Sequence, residues 1–446
     1  MKQKICGILL VSLIAVALFS GGLSGISVAE GVYLPIPGSG VSEYVYNSTA
    51  ITKGWTKLSA INKNVEINFG KDNYLLFNNT PSGTGIGVFV RDQSEQPTND
   101  STNWNGCFAQ SLHNPVSSPP VKTDYLSHTN DWIVTPISPV YTIVPSSSLP
   151  ADGSGYSFVS PSAITLKYSS NISDLYDTVS VLYRVYDNSA WEVLPGLVNT
   201  SSKTVTATFA KDGFGSYCVA NMDSNFSDFN VASVAWSQQY VQSLWNKGIM
   251  SQTGSGGYFG LVDATAAHTE YNTTRAEFAS MLVKGLRLPL AGLQSNMFSD
   301  IGALSLSVDG INYDYFYPKW REYACTAANY GLFNGIRNGA TLEFQPDQPV
   351  TREQAAALIT RALNLKVDYV EKDDDKVLAA LTKLYEDASS ISVWARPYVL
   401  AVSKAKYMSG EPITGTKKYN FDPAGDITRA ETAKIIQKLL KSKKLI

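Results

Sequence analysis

The sequence predicts a multidomain protein, all-β in its N-terminal half and all-α in its C-terminal half. Two observations carry that division. Up to about residue 222 the apolar residues fall in short alternating or β-branched runs, broken by Gly, Asn, Ser and Pro clusters. From Phe226 onward the period becomes helical, and the pattern recurs every 77 residues. A chain of 446 residues fits about three folding units at roughly 150 residues each. With 44% hydrophobic residues it has ample core, which excludes a disordered or collagen-like chain.

The first 29 residues read as a signal peptide. Lys2 and Lys4 form a basic start, Ile8 to Phe19 is an apolar run, and Ser27-Val28-Ala29 places small residues before a cut at Glu30. No later run approaches the roughly 18 apolar residues that a span requires, so a secreted product without a transmembrane anchor is expected. The 36 basic and 38 acidic residues leave a net charge of −2, too little field to steer nucleic acid. Beyond the leader stand Cys107, Cys218 and Cys325, without metal-ligand spacing. Small buried hydrophobes and a Cys107–Cys218 disulfide are both open readings, while Cys325 belongs to a helical core.

The β half divides, on its turn clusters, into an N-terminal β-rich domain at 30–137 and a second sandwich-like domain at 138–222. Its runs include Val65 to Phe69, Ile86 to Val90, Ile164 to Tyr168, Val179 to Tyr186 and Val205 to Phe209. The helical half divides at 223–292, 293–367 and 383–446, with 368–382 as a solvated linker that holds the charged run Glu371 to Lys376.

Thr274-Arg275-Ala276-Glu277, Thr351-Arg352-Glu353-Gln354 and Thr428-Arg429-Ala430-Glu431 mark the repeat. Each opens an amphipathic helix with Leu282, Ile359 or Ile436 on its apolar face. Ala279, Ala356 and Ala433 keep that face narrow enough for close packing. Upstream of each comes an aromatic-x-Asp pair, Phe226/Asp228, Phe298/Asp300 and Tyr385/Asp387. A helix-leading tryptophan follows, at Trp236, Trp320 and Trp394. Phe344-Gln345-Pro346 and Phe421-Asp422-Pro423 precede the second and third Thr. A helix pair this short cannot bury its apolar face alone, so three should pack together.

These motifs resemble the S-layer homology (SLH) domain family in three consecutive copies, over about half of the chain beyond the leader. The resemblance implies an all-α SLH trimer, a pseudo-threefold helical bundle that binds a secondary cell-wall polysaccharide linked to peptidoglycan. The polymer is expected to be anionic, pyruvylated, and held without covalent attachment. It also implies a surface or S-layer location, with self-association in a lattice as a further partner. The first copy departs from the pattern, with Ala267-His268-Thr269 where Phe-x-Pro is expected and Gln252 where the others have Gly335 and Gly410. The second carries an insertion at 302–318, and the third has Lys406 in place of Gly248 and Gly331.

Thr274 with Glu277, Thr351 with Gln354 and Thr428 with Glu431 have the spacing of capping boxes. Capping does not account for Arg275, Arg352 and Arg429, which stand at the positive end of a helix dipole, at a cost of up to about 1 kcal/mol. Two readings are open. Each arginine pairs with Asp228, Asp300 or Asp387 as a link between repeats, or it joins free helix N–H groups to hold a carboxylate of the glycan. The resemblance favours the second. Trp236, Trp320 and Trp394 read either as packed at their helix starts or as stacking faces for sugar, and the three aspartates as groups that orient the arginines or accept from hydroxyls.

No catalytic constellation stands out. His113, His128 and His268 lack metal spacing or a nucleophile partner, and no cofactor motif occurs. Asp72, Asp92, Glu95 and Asp131 are scattered carboxylates. The reading is a non-enzymatic exported surface protein. Its alternative is an SLH-anchored glycan-active enzyme, or a carbohydrate-binding adhesin with a site in the β half near Trp55, Trp104 or Trp132.

Overall fold

The computed structural model describes residues 32–33, 42–45, 57–69, 73, 75–81, 86–91, 132–145, 156–160, 162–169, 177–184, 192–209, 213–224, 226–254, 257–294, 296–302, 307–308, 311–312, 319–367 and 374–446. The expected leader, Cys107, His113, His128, Trp55, Trp104 and the carboxylates Asp72, Asp92, Glu95 and Asp131 lie outside them, as does the side chain of Trp132.

The N-terminal half is β-rich. Its strands are β1 (Val32–Tyr33), β2 (Ser42–Val45), β3 (Lys57–Ala60), β4 (Val65–Asn68), β5 (Leu75–Phe77) and β6 (Thr80–Pro81). Next come β7 (Ile86–Arg91), β8 (Trp132–Pro136), β9 (Val140–Pro145), β10 (Tyr156–Phe158) and β11 (Ser162–Lys167). The last are β12 (Val179–Arg184), β13 (Glu192–Leu194), β14 (Gly196–Asn199), β15 (Thr204–Phe209) and β16 (Gly215–Ser224). One sheet runs β1-β2-β7-β9-β16-β12-β13, with β8 also on β16; another runs β14-β15-β11-β4-β3; a small one runs β10-β5-β6.

Alternation sets which face of each strand is buried. Ile164 and Leu166 of β11 lie inward beside Val65 and Ile67 of β4 and Val205 and Ala207 of β15. They share one apolar core with Val88, Ile143, Val181 and Val219 of the larger sheet, and Phe158 stacks on Phe214 at 5.5 Å.

Two separate domains at 30–137 and 138–222 are not what forms. β4 pairs with β11, β5 with β10 and β7 with β9, so each sheet joins strands of both segments. Alternation in a strand fixes the face it buries but not its partner, and turn clusters mark loops as readily as boundaries. Cys218 is a buried free thiol on β16.

The C-terminal half is helical: α1 (Gln238–Asn246), α2 (Arg275–Gly285), α3 (Trp320–Asn329), α4 (Arg352–Leu363), α5 (Asp374–Thr382), α6 (Arg396–Lys404) and α7 (Arg429–Ser442). It is not all-α, because the hairpins Ser307–Val308/Ile311–Asn312, Ile336–Asn338/Thr341–Glu343 and Glu411–Pro412/Tyr419–Asn420 lie between helices. The expected linker at 368–382 contains α5. Val377 and Leu381, four apart, bury one face of it, Asp374 and Asp375 suit its N-terminus, and Arg396 pairs with Asp374 at 2.6 Å. The charged run hid that apolar pair.

Three units follow, built on α1 and α2, α3 and α4, and α6 and α7. The second helix of each packs on the first helix of the next, α2 on α3, α4 on α6, and α7 back on α1. Ala279, Ala356 and Ala433 are fully buried in this ring, whose core is continuous through all three units.

Candidate functional site

The segments that enter α2, α4 and α7 meet at the centre of the ring. Thr273 N–H donates to the carbonyl of Ile427, Ile427 N–H to Val350, and Val350 N–H to Thr273, each at 2.9 Å. Three backbone hydrogen bonds thus close a triangle, one from each unit. The next amides continue the cycle: Arg275 N–H reaches Gln348 O, Arg352 N–H reaches Gly425 O, and Arg429 N–H reaches Tyr271 O.

The aspartates hold loops within their own units. Asp300 accepts from the amides of Phe344 and Gln345, and Asp387 from those of Phe421 and Asp422. Asp228 accepts from the amides of Phe259, Leu261 and Val262. The first unit therefore places Phe259, not Ala267-His268-Thr269, where the others have Phe344 and Phe421. An inserted loop, with an Asp263–Thr265 turn and His268 at φ +46°, separates this phenylalanine from Thr274 and hides it from fixed-distance matching.

Each phenylalanine receives the arginine of the preceding unit. Arg275, Arg352 and Arg429 lie over Phe344, Phe421 and Phe259 at 5.3, 5.5 and 5.6 Å. Their Nη2 groups donate to the carbonyls of Asn334, Ser409 and Ser251, each one residue before Gly335, Gly410 or Gln252. Nε of Arg275 and of Arg352 donates to Phe344 O and Phe421 O. All three arginines are buried. They are links between units, and the acidic groups they touch are not the expected aspartates: Arg429 pairs with Glu277, and Arg352 with Glu431 at 2.5 Å.

Those glutamates also serve the caps. Thr274 with Glu277 and Thr428 with Glu431 form complete capping boxes, so each carboxylate spends one oxygen on its own helix and the other on a neighbour's arginine. Thr351 accepts from Gln354 N–H, but the reciprocal bond, from Thr351 N–H to the Gln354 side chain, does not form. Gln354 stands where a glutamate would face Arg275, and its buried Oε1 has no hydrogen-bond partner among the described residues. Burial pushes Arg275 and Arg429 down to about 10, so both remain cations at neutral pH.

The helix starts offer no free amides to an anion in two of the three units. In α2 the first three N–H groups go to Gln348 O, Pro346 O and Thr274 Oγ1, and in α4 to Gly425 O, Pro423 O and Thr351 Oγ1. The expectation that free helix amides join the arginine is corrected there: the neighbouring unit consumes them.

The tryptophans divide. Trp236 and Trp394 are 43% and 49% exposed, whereas Trp320 is 1% exposed, with Arg321 over its ring at 4.5 Å. Burial leaves Trp320 no face for a sugar. Trp236 donates Nε1–H to Ser233 O, meets Tyr240 edge-on and carries Lys434 Nζ 5.3 Å above its ring. Lys434 comes from α7, so this aromatic patch lies where the third unit meets the first. Nothing in the repeated motif singles out Lys434, since the matching positions are Ser280 and Ala357.

Among the described residues no cluster of His, Cys, Asp or Glu suits a metal, and no helix is long and apolar enough to cross a membrane. The S-layer homology domain model matches residues 316–356 and 384–433. This part of the chain is thus of the S-layer homology class, a repeat of cell-wall-binding surface proteins. An amylopullulanase of Thermoanaerobacterium thermosulfurigenes is 27% identical over 403 residues, 89% of this chain and 18% of that protein. An endoglucanase of Bacillus sp. (strain KSM-635) is 31% identical over 48% of this chain and 18% of its own length. A surface-layer 125 kDa protein of Lysinibacillus sphaericus is 25% identical over 49% of this chain and 15% of its own. The chain spans less than a fifth of each. The expectation of a non-enzymatic protein is corrected by these matches: relatives named as enzymes are among them, and the amylopullulanase match covers most of both halves of this chain.

Proposed function

We propose that this chain anchors a glycan-active surface protein to the cell wall. The helical half is read as three S-layer homology repeats, the first at 223–292, in a pseudo-threefold trimer. The trimer holds an anionic, pyruvylated secondary wall polysaccharide from outside the cell. The β half, a β-sandwich-like module, is read as part of the glycan-active portion, supported by the alignment with an amylopullulanase through this region.

The observation that carries the anchor reading is the pair of exposed indoles at the ring's rim, Trp236 and Trp394, one with a lysine over its face. An exposed indole stacks on sugar C–H groups, and an ammonium beside it suits a carboxylate-bearing sugar. The buried arginines act through the fold, by holding neighbouring units at the spacing that sets this rim.

The test is co-sedimentation of the full chain with wall sacculi, native or stripped of secondary polymer. Binding should need the polymer and fall at least tenfold in Trp236→Ala/Trp394→Ala, with the melting temperature retained. Binding to stripped sacculi at full strength overturns the reading. For the β half, slowed migration in a gel containing pullulan supports a glycan-directed role, and unchanged migration opposes it.

A further inference from the structure

The β half and the ring meet at an interface that the repeated motif does not describe. Lys247, just past α1, is 1% exposed, and its Nζ donates to Val179 O on β12. Ser180 Oγ donates to Asn246 O at 2.5 Å. Asp177, ahead of β12, accepts from Ser243 Oγ on α1 and pairs with Lys441 Nζ on α7 at 3.2 Å. One carboxylate from the β half therefore touches the first and third units together.

The turn after α1 shows that this contact is specific to one unit. Gly248, Gly331 and Lys406 hold equivalent left-handed positions at φ +66°, +68° and +60°. A Cβ on Gly248 would lie 2.8 Å from Val193 Cβ on β13, whereas one on Gly331 would meet nothing within 4 Å. Lys406 carries a full side chain, exposed to solvent. The residue before each turn follows the same division: Lys247 is buried, while Tyr330 and Ala405 are exposed and uncharged. A lysine is rarely buried unless its ammonium is held, and here a backbone carbonyl of the β half helps to hold it.

We propose that β12, β13 and Asp177 form a permanent dock on the first and third units, so that the two halves of the chain move as one rigid body. The proposal does not rest on wall binding. The dock has a carbonyl–ammonium lock at Lys247, a carboxylate bridge at Asp177, and close backbone packing at Gly248 that no larger residue permits. Gly331 supplies a matched control, with the same backbone strain and no neighbour to strike.

The experiment measures distances between two spin labels by pulsed electron resonance. The labels are placed at Ser202→Cys on the β half and Lys417→Cys on the third unit, both exposed, in the full chain with Cys6→Ser and Cys107→Ser. The parent and Gly331→Leu should each give one narrow distance distribution, and Gly248→Leu should at least double its width. A parent distribution that is already broad, or a Gly248→Leu distribution as narrow as that of Gly331→Leu, overturns the proposal. Should Gly248→Leu fail to fold, Lys247→Met decides by the same criterion.

Discussion

The three junctions of the ring have the same plan and differ in how their charge is balanced. At the junction of the third unit with the first, Arg429 and Glu277 are both buried and bonded to each other. Between the second and third, Arg352 meets Glu431, which is 27% exposed, with Glu411 3.8 Å away and 64% exposed. Between the first and second, Arg275 has carbonyls and two rings but no carboxylate in contact among the described residues, because Gln354 replaces the glutamate. The difference shows that carbonyls and aromatic faces are enough to seat the arginine. The carboxylate is an addition whose worth depends on burial.

Arg429→Met tests the most buried junction. It takes the guanidinium away from the buried Glu277 carboxylate and should cost about 3–5 kcal/mol in urea unfolding. Arg352→Met should cost less, about 1–3 kcal/mol, because Glu431 can turn to water. Equal losses would mean that the Nη2–carbonyl contact, which the two share, dominates over charge. Gln354→Glu supplies the missing acid and should stabilise by on the order of 1 kcal/mol, with the gain abolished in Arg275→Met. The smallest contrast lies in the caps. Thr274→Ala should cost about 1 kcal/mol and Thr351→Ala roughly half that, since only Thr274 belongs to a reciprocal box. Thermal melts of the two variants, read side by side, check it.

Much of the ring was legible because its residues repeat in register. Thr, Arg, Asp and the inward alanines fall where their spacing puts them, and the cap hydrogen bonds follow from Thr followed by Glu three residues later. Phe259 escaped because an inserted loop changed its distance from Thr274 while leaving its bond to Asp228 intact. The arginines' partners escaped for another reason: Glu277 and Glu431 already had a local role in the caps, and nothing in one dimension indicates a second partner on another unit. In the β half the strands were legible, but their pairing was not. β4 reaches β11 across nearly a hundred residues, and alternation alone is silent on partners.

The triangle of amides at Thr273, Val350 and Ile427 has a mechanical consequence. In an open array the outermost repeat can peel away while the others hold. In a closed cycle no member is outermost, so removing any one breaks two of the three bonds. The β half rests on the first and third units, the two that meet where the cycle closes. Tension pulling the β half away from the ring would therefore bear on that seam, and would be shared by two units before either could separate.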